Sequence, residues 1–88
     1  MLIWKSNYKP YYVNNEEGYL GDYNIFCLKY DYVIETQTNK CYILNSYLPG
    51  VKKELGNFEL EEGKKFAESI LDYWIKKAGL KLNEGYKK

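Results

Sequence analysis

The chain contains no histidine and no arginine, so all 13 of its basic side chains are lysines. Histidine is the usual general base near neutral pH and a common nitrogen ligand for metals. Arginine provides the two-pronged donor that commonly binds phosphate or reads guanine. We therefore expect a protein that is not an enzyme and that holds neither a metal ion nor a cofactor.

Cysteines and long apolar runs are also scarce. Cys27 and Cys41 lie in separate apolar segments and form neither a CxxC motif nor a disulfide framework, so we interpret them as small buried residues. No apolar run approaches the roughly 20 residues that span a bilayer, and the apolar start at 1–4 is too short for a secretory signal. These features predict a soluble, cytoplasmic protein without a membrane partner.

The composition is typical of a folded domain, with 45% apolar residues, 28% charged residues and a net charge of +1. A chain of 88 residues has room for one small hydrophobic core. We predict a single domain over residues 1–79 and a flexible C-terminal tail over residues 80–88.

Alternating apolar and polar residues in the first half of the chain indicate β-strands. Turn-forming residues interrupt the alternation at 14–18, at 36–39 and at Pro49-Gly50. The pattern predicts three long strands and a short fourth one, at about 2–13 with a bend near Pro10, 20–34, 40–48 and 54–58.

The stretch LGNFELEEGKKFAESILDYW, residues 55–74, changes to a helical period. Its apolar residues recur every third or fourth position: Leu60, Gly63, Phe66, Ala67, Ile70, Leu71, Trp74 and Ala78. Glutamates precede the helix and lysines end it, as the helix dipole favours. The order of elements predicts an α+β fold, an antiparallel sheet of three to four strands packed on one C-terminal helix.

Both faces of the predicted sheet carry apolar side chains, whereas one helix covers only one face. We expect the bulky helix residues to cover the smaller face, which includes Ile25 and Cys27. The opposite face is then a partner-binding patch, because soluble monomers seldom expose so much apolar surface. Its predicted members, with two tyrosines of the first strand, are Phe26, Leu28, Tyr30, Tyr42, Leu44, Tyr11 and Tyr12. Alternatively, the N-terminal segment with Trp4, Tyr11 and Tyr12 folds over this patch.

Eleven tyrosines favour a recognition surface, because tyrosine offers contact area and a hydroxyl group at little entropic cost. The predicted exposed members are Tyr8, Tyr11, Tyr12, Tyr19, Tyr23 and Tyr47. Aromatic and lysine side chains on a sheet also bind single-stranded nucleic acid in some proteins. Here acidic residues are interleaved with the lysines, which weakens this alternative.

Four segments together resemble small proteins encoded by phages and other mobile elements. These are Trp4 in the first strand, YNIFCLKY, KCYILNSY, and a helix with the pattern LGxFxLEExKxxAE. The chain departs from that pattern at Gly63, where alanine is usual, and at Glu59, where serine or threonine would cap the helix. A second similarity, to HicB-type antitoxins, involves YVIE, CYILNSYLPG and LEEGKKFAESIL.

The first resemblance implies no catalytic residues, and it implies a setting in which small proteins often block host defence, as anti-CRISPR proteins do. Our hypothesis is therefore a non-enzymatic interaction domain that occludes a host protein in the host cytoplasm, pairs with itself as a homodimer, or does both. The alternatives are a single-stranded nucleic-acid-binding sheet protein and a HicB-like antitoxin.

Overall fold

A computed structural model describes residues 2–7 and 15–79, without the side chain of Asn7. The elements in chain order are β1 (Ile3–Asn7), β2 (Asn15–Leu20), β3 (Tyr23–Tyr30), α1 (Tyr32–Glu35), β4 (Tyr42–Ser46), β5 (Glu54–Phe58) and α2 (Leu60–Lys77). The strands form one antiparallel sheet in the order β1-β2-β3-β4-β5, and α2 packs against β3, β4 and β5. The predicted tail at 80–88 lies outside the described residues.

The predicted α+β class, with an antiparallel sheet and a C-terminal helix, is confirmed, but the sheet has five strands rather than three to four. The additional strand is β2, whose sequence NEEGYL we interpreted as mostly turn. Two of its residues that face the helix, Glu16 and Gly18, are not apolar. The strand therefore lacks the alternation of apolar and polar residues from which strands are predicted. Glu16 is buried and accepts a hydrogen bond from Ser6, and a Cβ atom at Gly18 would lie 2.9 Å from the Trp4 ring.

Two β-bulges shape the sheet. The β2–β3 register shifts by one residue after Gly18, and the β4–β5 register shifts after Leu44. In each case the longer strand carries one extra residue, Ile25 in β3 and Leu55 in β5, and both pack against the core. Bulges bend a strand and increase its twist, so the extra residues turn toward the helix instead of toward solvent.

The hydrophobic core lies between α2 and the face of the sheet that we expected to be uncovered. Its buried members are Phe26, Leu28, Leu44, Leu48, Ala67 and Leu71. Phe26, Leu28 and Leu44 are each 0% exposed, so the prediction that they form an exposed partner-binding patch is wrong. Tyr30 and Tyr42 lie on the same side of the sheet, half-buried, as an edge-to-face pair with ring centroids 5.5 Å apart. Tyr11 and Tyr12, predicted with them, lie outside the described residues.

The size of the helix residues explains why α2 covers the face of the sheet that we expected to be uncovered. The stripe of α2 nearest the sheet is Gly63, Ala67 and Leu71, so the helix presents small residues where the sheet presents bulky ones. A Cβ atom at Gly63 would lie 2.6 Å from Leu28 Cδ2, so a side chain at this position would force Leu28 or the helix to move.

The bulky helix residues, which we expected to cover the smaller face of the sheet, lie beside this stripe instead. Phe66 is 37% exposed and stacks on Phe58 with the ring centroids 4.9 Å apart. Trp74 donates from Nε1 to the Pro49 carbonyl at 2.9 Å.

Candidate functional site

Among the described elements, only α2 packs against the sheet, and the side of the sheet opposite α2 is uncovered by them. Strand alternation and the pairing registers assign its residues. We call it the open face, and it comprises Ile3, Lys5, Glu17, Tyr19, Cys27, Lys29, Ile43, Asn45, Tyr47, Glu54 and Asn57. Every strand therefore contributes to this surface.

One row of residues crosses the open face from edge to edge. Consecutive strand pairings join Lys5, Glu17, Cys27, Asn45 and Glu54 in that order. The cation lies on the outer strand β1, one acid lies on the outer strand β5, and the most buried side chain lies in the middle. The row thus has opposite charges at its two ends.

Tyr19 is held in place by two neighbours on the open face. Its hydroxyl donates to Glu17 Oε1 at 3.2 Å, and Lys5 Nζ lies 4.6 Å from its ring centroid. The hydrogen bond to Glu17, followed by burial, raises the pKa of Tyr19. Because cation–π and hydrogen-bond contacts both restrict the ring, Tyr19 presents a preformed aromatic surface.

Cys27 and Tyr47 form the apolar centre of the open face. Cys27 is 7% exposed, and burial, reinforced by Glu17, raises the pKa of its thiol against the opposing effect of Lys29. A raised pKa keeps the thiol protonated near neutral pH, so Cys27 is a poor nucleophile. Tyr47 is 52% exposed, and burial, with smaller effects from Cys27 and Glu17, raises its pKa. The centre therefore offers apolar contact area with a protonated thiol at its middle.

A second polar cluster, on the helix side, consists of Glu16, Ser6 and Lys64. Ser6 Oγ donates to Glu16, and Lys64 Nζ lies 3.1 Å from Glu16 Oε1. Burial opposes ionisation and is the largest single influence on Glu16, but Ser6 and Lys64 together outweigh it and lower the pKa. Lys64 also lies 5.8 Å from the Trp4 ring centroid. These contacts attach β1 and β2 to α2, so we assign the cluster a structural role.

A third feature is an apolar groove of about 420 Å³ beside the last turns of α2. Its walls include Pro49, Val51, Ile70, Tyr73 and Trp74. The groove has few polar atoms to orient a ligand, and its walls extend to Lys77 and Ala78 near the end of the described residues. We therefore place the candidate site on the open face.

The structure places three of the six tyrosines predicted for recognition. Tyr19 and Tyr47 lie on the open face, and Tyr23 is 76% exposed at the start of β3. Tyr8, Tyr11 and Tyr12 lie outside the described residues.

The remaining open-face residues were missed, although β3 contained a usable signal. Lys29 and Cys27 lie on one face of the strand, whereas Phe26, Leu28 and Tyr30 form an uninterrupted aromatic and aliphatic series on the other face. A lysine on one face of a strand marks the side that contacts solvent.

Within residues 2–7 and 15–79, no group of three or more cysteine or acidic side chains is placed to hold a metal ion. In the same ranges no helix combines the length and apolar character needed to cross a membrane. No family model matches the chain, and comparisons with curated proteins and with solved structures also find no match.

Proposed function

We propose that this protein is a non-enzymatic interaction domain that binds a protein partner through its open face. The observation that carries the proposal is the arrangement of this surface, with Tyr19, Cys27, Ile43 and Tyr47 at its centre and lysine, glutamate and asparagine around them. Protein interfaces have the same organisation, an aromatic and aliphatic centre within a polar rim.

The dimensions of the open face fit a small interface. Adjacent strands lie about 4.8 Å apart and residues rise about 3.3 Å along a strand, so five strands of about five residues span roughly 20 by 16 Å. That footprint, about 320 Å² per partner, lies below the standard size of about 800 Å² per partner, as in weak or transient interfaces. Tyr47 and Ile43 are the residues from which we expect most of the binding energy, because exposed aromatic and aliphatic groups near the centre dominate such contacts.

The charges on the open face favour a protein over nucleic acid. Its two lysines, Lys5 and Lys29, are balanced by Glu17 and Glu54, so the surface has no excess positive charge to attract phosphates. Lys5 covers one side of the Tyr19 ring, and Glu17 accepts a hydrogen bond from its hydroxyl group. The contact with Lys5 competes with base stacking on that side of the Tyr19 ring, which single-strand binders use.

The proposal is tested by placing a charge at the centre of the open face. Ile43→Lys and Tyr47→Lys should each abolish capture of a partner from an extract of the host cell while leaving thermal unfolding nearly unchanged. Tyr73→Lys is the matched control, because Tyr73 is 63% exposed on α2, away from the open face. Retention of the same captured protein by both open-face variants would contradict the proposal.

The nucleic-acid alternative is tested in parallel with labelled single-stranded oligonucleotides at two salt concentrations. We expect no saturable binding at low salt, because the open face has no net charge. Tight binding that falls steeply with salt and is lost in Lys5→Ala would favour the nucleic-acid alternative instead. The narrower role of occluding a host-defence protein follows from the sequence resemblance and stays a prediction, as does the HicB-like alternative.

A further inference from the structure

We infer that a second copy of the same chain occupies the open face, packed face to face about a two-fold axis that runs parallel to the strands. The inference rests on the proposed function, because it names the partner of the same surface. Its basis is the order of charges across the sheet, which is self-complementary under this one rotation.

A two-fold axis parallel to the strands reverses the strand order of the partner. Strand β1 then lies over β5 of the partner, β2 over β4, and β3 over its own counterpart. In the central row, Lys5 faces the partner's Glu54, and Glu17 faces the partner's Asn45, which has amide donors to offer. Because the contact is isologous, each of these pairings occurs twice.

The neighbouring row is also complementary. Tyr19 pairs with Ile3 and with Asn24, and the carbonyl of the adjacent bulge residue Ile25 accepts a hydrogen bond from the Tyr47 N–H, so Tyr47 lies at the level of the row that contains Tyr19 and Ile3. The same rotation places Tyr19 against the partner's Tyr47 on both sides of the axis. Offset or edge-to-face tyrosine pairs add to the burial of their area. Cys27, the most buried residue of the open face, lies at the axis.

The other aligned arrangement, with the axis across the strands, is disfavoured by the same residues. It would place Lys5, Glu17 and Glu54 each against an identical residue, and like charges facing each other at an interface are costly. The arrangement parallel to the strands retains one such pair, Lys29 against its counterpart. Lys29 is exposed, and its long aliphatic stem allows the ammonium group to turn outward to water.

The β5 edge of the sheet is poorly suited to pairing with a strand of a second copy, which favours contact through the faces of the two sheets. Strand β5 carries a bulge and has Gly56 at φ 123°, a conformation outside the regular strand region. Bulges on an edge strand hinder its pairing with another chain. The small footprint of the open face implies a weak dimer whose population depends on protein concentration.

The decisive experiment is a charge exchange monitored by sedimentation velocity from about 5 to 500 µM protein, the range in which a weak dimer dissociates. Wild type should change from monomer to dimer across this range. Lys5→Glu alone and Glu54→Lys alone should each weaken association at least about tenfold, because each creates two like-charge pairs. The double variant Lys5→Glu/Glu54→Lys should return to within about threefold of wild type, since the opposite charges again face each other.

Lys65→Glu is the matched control, because it makes the same charge change at an exposed position on α2 and should leave association unchanged. The inference is overturned if wild type remains monomeric at every concentration, or if the double variant is at least as weak as the weaker single variant.

These outcomes separate the dimer from the proposed function. A monomeric wild type whose captured partner is lost with Tyr47→Lys would overturn the dimer and retain the interaction domain. A dimer that survives Tyr47→Lys and Ile43→Lys would place the contact elsewhere and overturn the inference.

Discussion

Replacing Gly63 with alanine tests the contact that decides which face of the sheet is covered. Gly63 lies in the buried stripe of α2, and the added Cβ would be 2.6 Å from Leu28 Cδ2 and 3.2 Å from Phe58 Cβ. Leu28 is 0% exposed, so its side chain has no solvent-filled space into which it can move. Gly63→Ala must therefore displace the helix or force Leu28 from its rotamer.

Two opposing effects set the magnitude. Alanine is favoured over glycine inside a helix by about 0.8–1.0 kcal/mol. Overpacking a close-packed core by one methyl group costs roughly 1–3 kcal/mol. We expect the second effect to prevail, with a net loss of about 1 kcal/mol in the free energy of unfolding.

Urea denaturation followed by tryptophan fluorescence measures this loss. With an m-value of about 1 kcal/mol per molar, typical of small domains, the midpoint should fall by about 1 M with no change in slope. Ser69→Ala is the control for helix propensity, because Ser69 is exposed on α2 and the substitution should stabilise slightly.

A second substitution identifies the cause. Leu28→Val removes both Cδ atoms and should cost about 1 kcal/mol by itself, the value of one buried methylene. Adding Gly63→Ala to Leu28→Val should then stabilise, since the main clash is gone while the propensity gain remains. A stabilising effect of Gly63→Ala in the wild-type background would refute the close approach of α2 to β3.

Two further predictions concern titration. Because the pKa of Glu16 is lowered from about 4.5, the stabilisation from its ionised form is full above that value and is lost as the pH falls through the folded-state pKa. Glu16→Gln should therefore lower the free energy of unfolding by roughly 1–3 kcal/mol at pH 7. The variant should also lose less stability than wild type as the pH falls, as measured by urea denaturation from pH 2 to 7. An unchanged dependence of stability on acid pH would contradict the contact with Lys64. A hydrogen bond to Glu35, followed by burial, raises the pKa of Tyr30 to about 12. Titration of its ring resonances by NMR should show a return toward 10 in Glu35→Gln, whereas an identical curve in both proteins would exclude that bond.

The elements with strong local signals were predictable. Leu60 to Lys77 forms a helix, as its three-to-four spacing and its oppositely charged ends indicated. All four predicted strands overlap a strand of the sheet, namely β1, β3, β4 and β5, where aromatic and aliphatic residues are frequent. Strand β2 was missed because the local signals of Asn15, Glu16 and Gly18 indicate a turn. Their suitability for a strand depends on Ser6, Lys64 and Trp4, which contact them only after folding.

The sequence by itself determined the α+β class and the C-terminal helix, because periodicity and turn residues act over a few positions. Which face the helix covers was decided only by the tertiary structure. Packing depends on the fit between two surfaces, and Gly63 and Ala67 allow α2 to reach Phe26, Leu28 and Leu44. Burying those residues leaves Cys27, Ile43 and Tyr47 on the other side, so the same contact that forms the core also decides which face of the sheet we propose for partner binding.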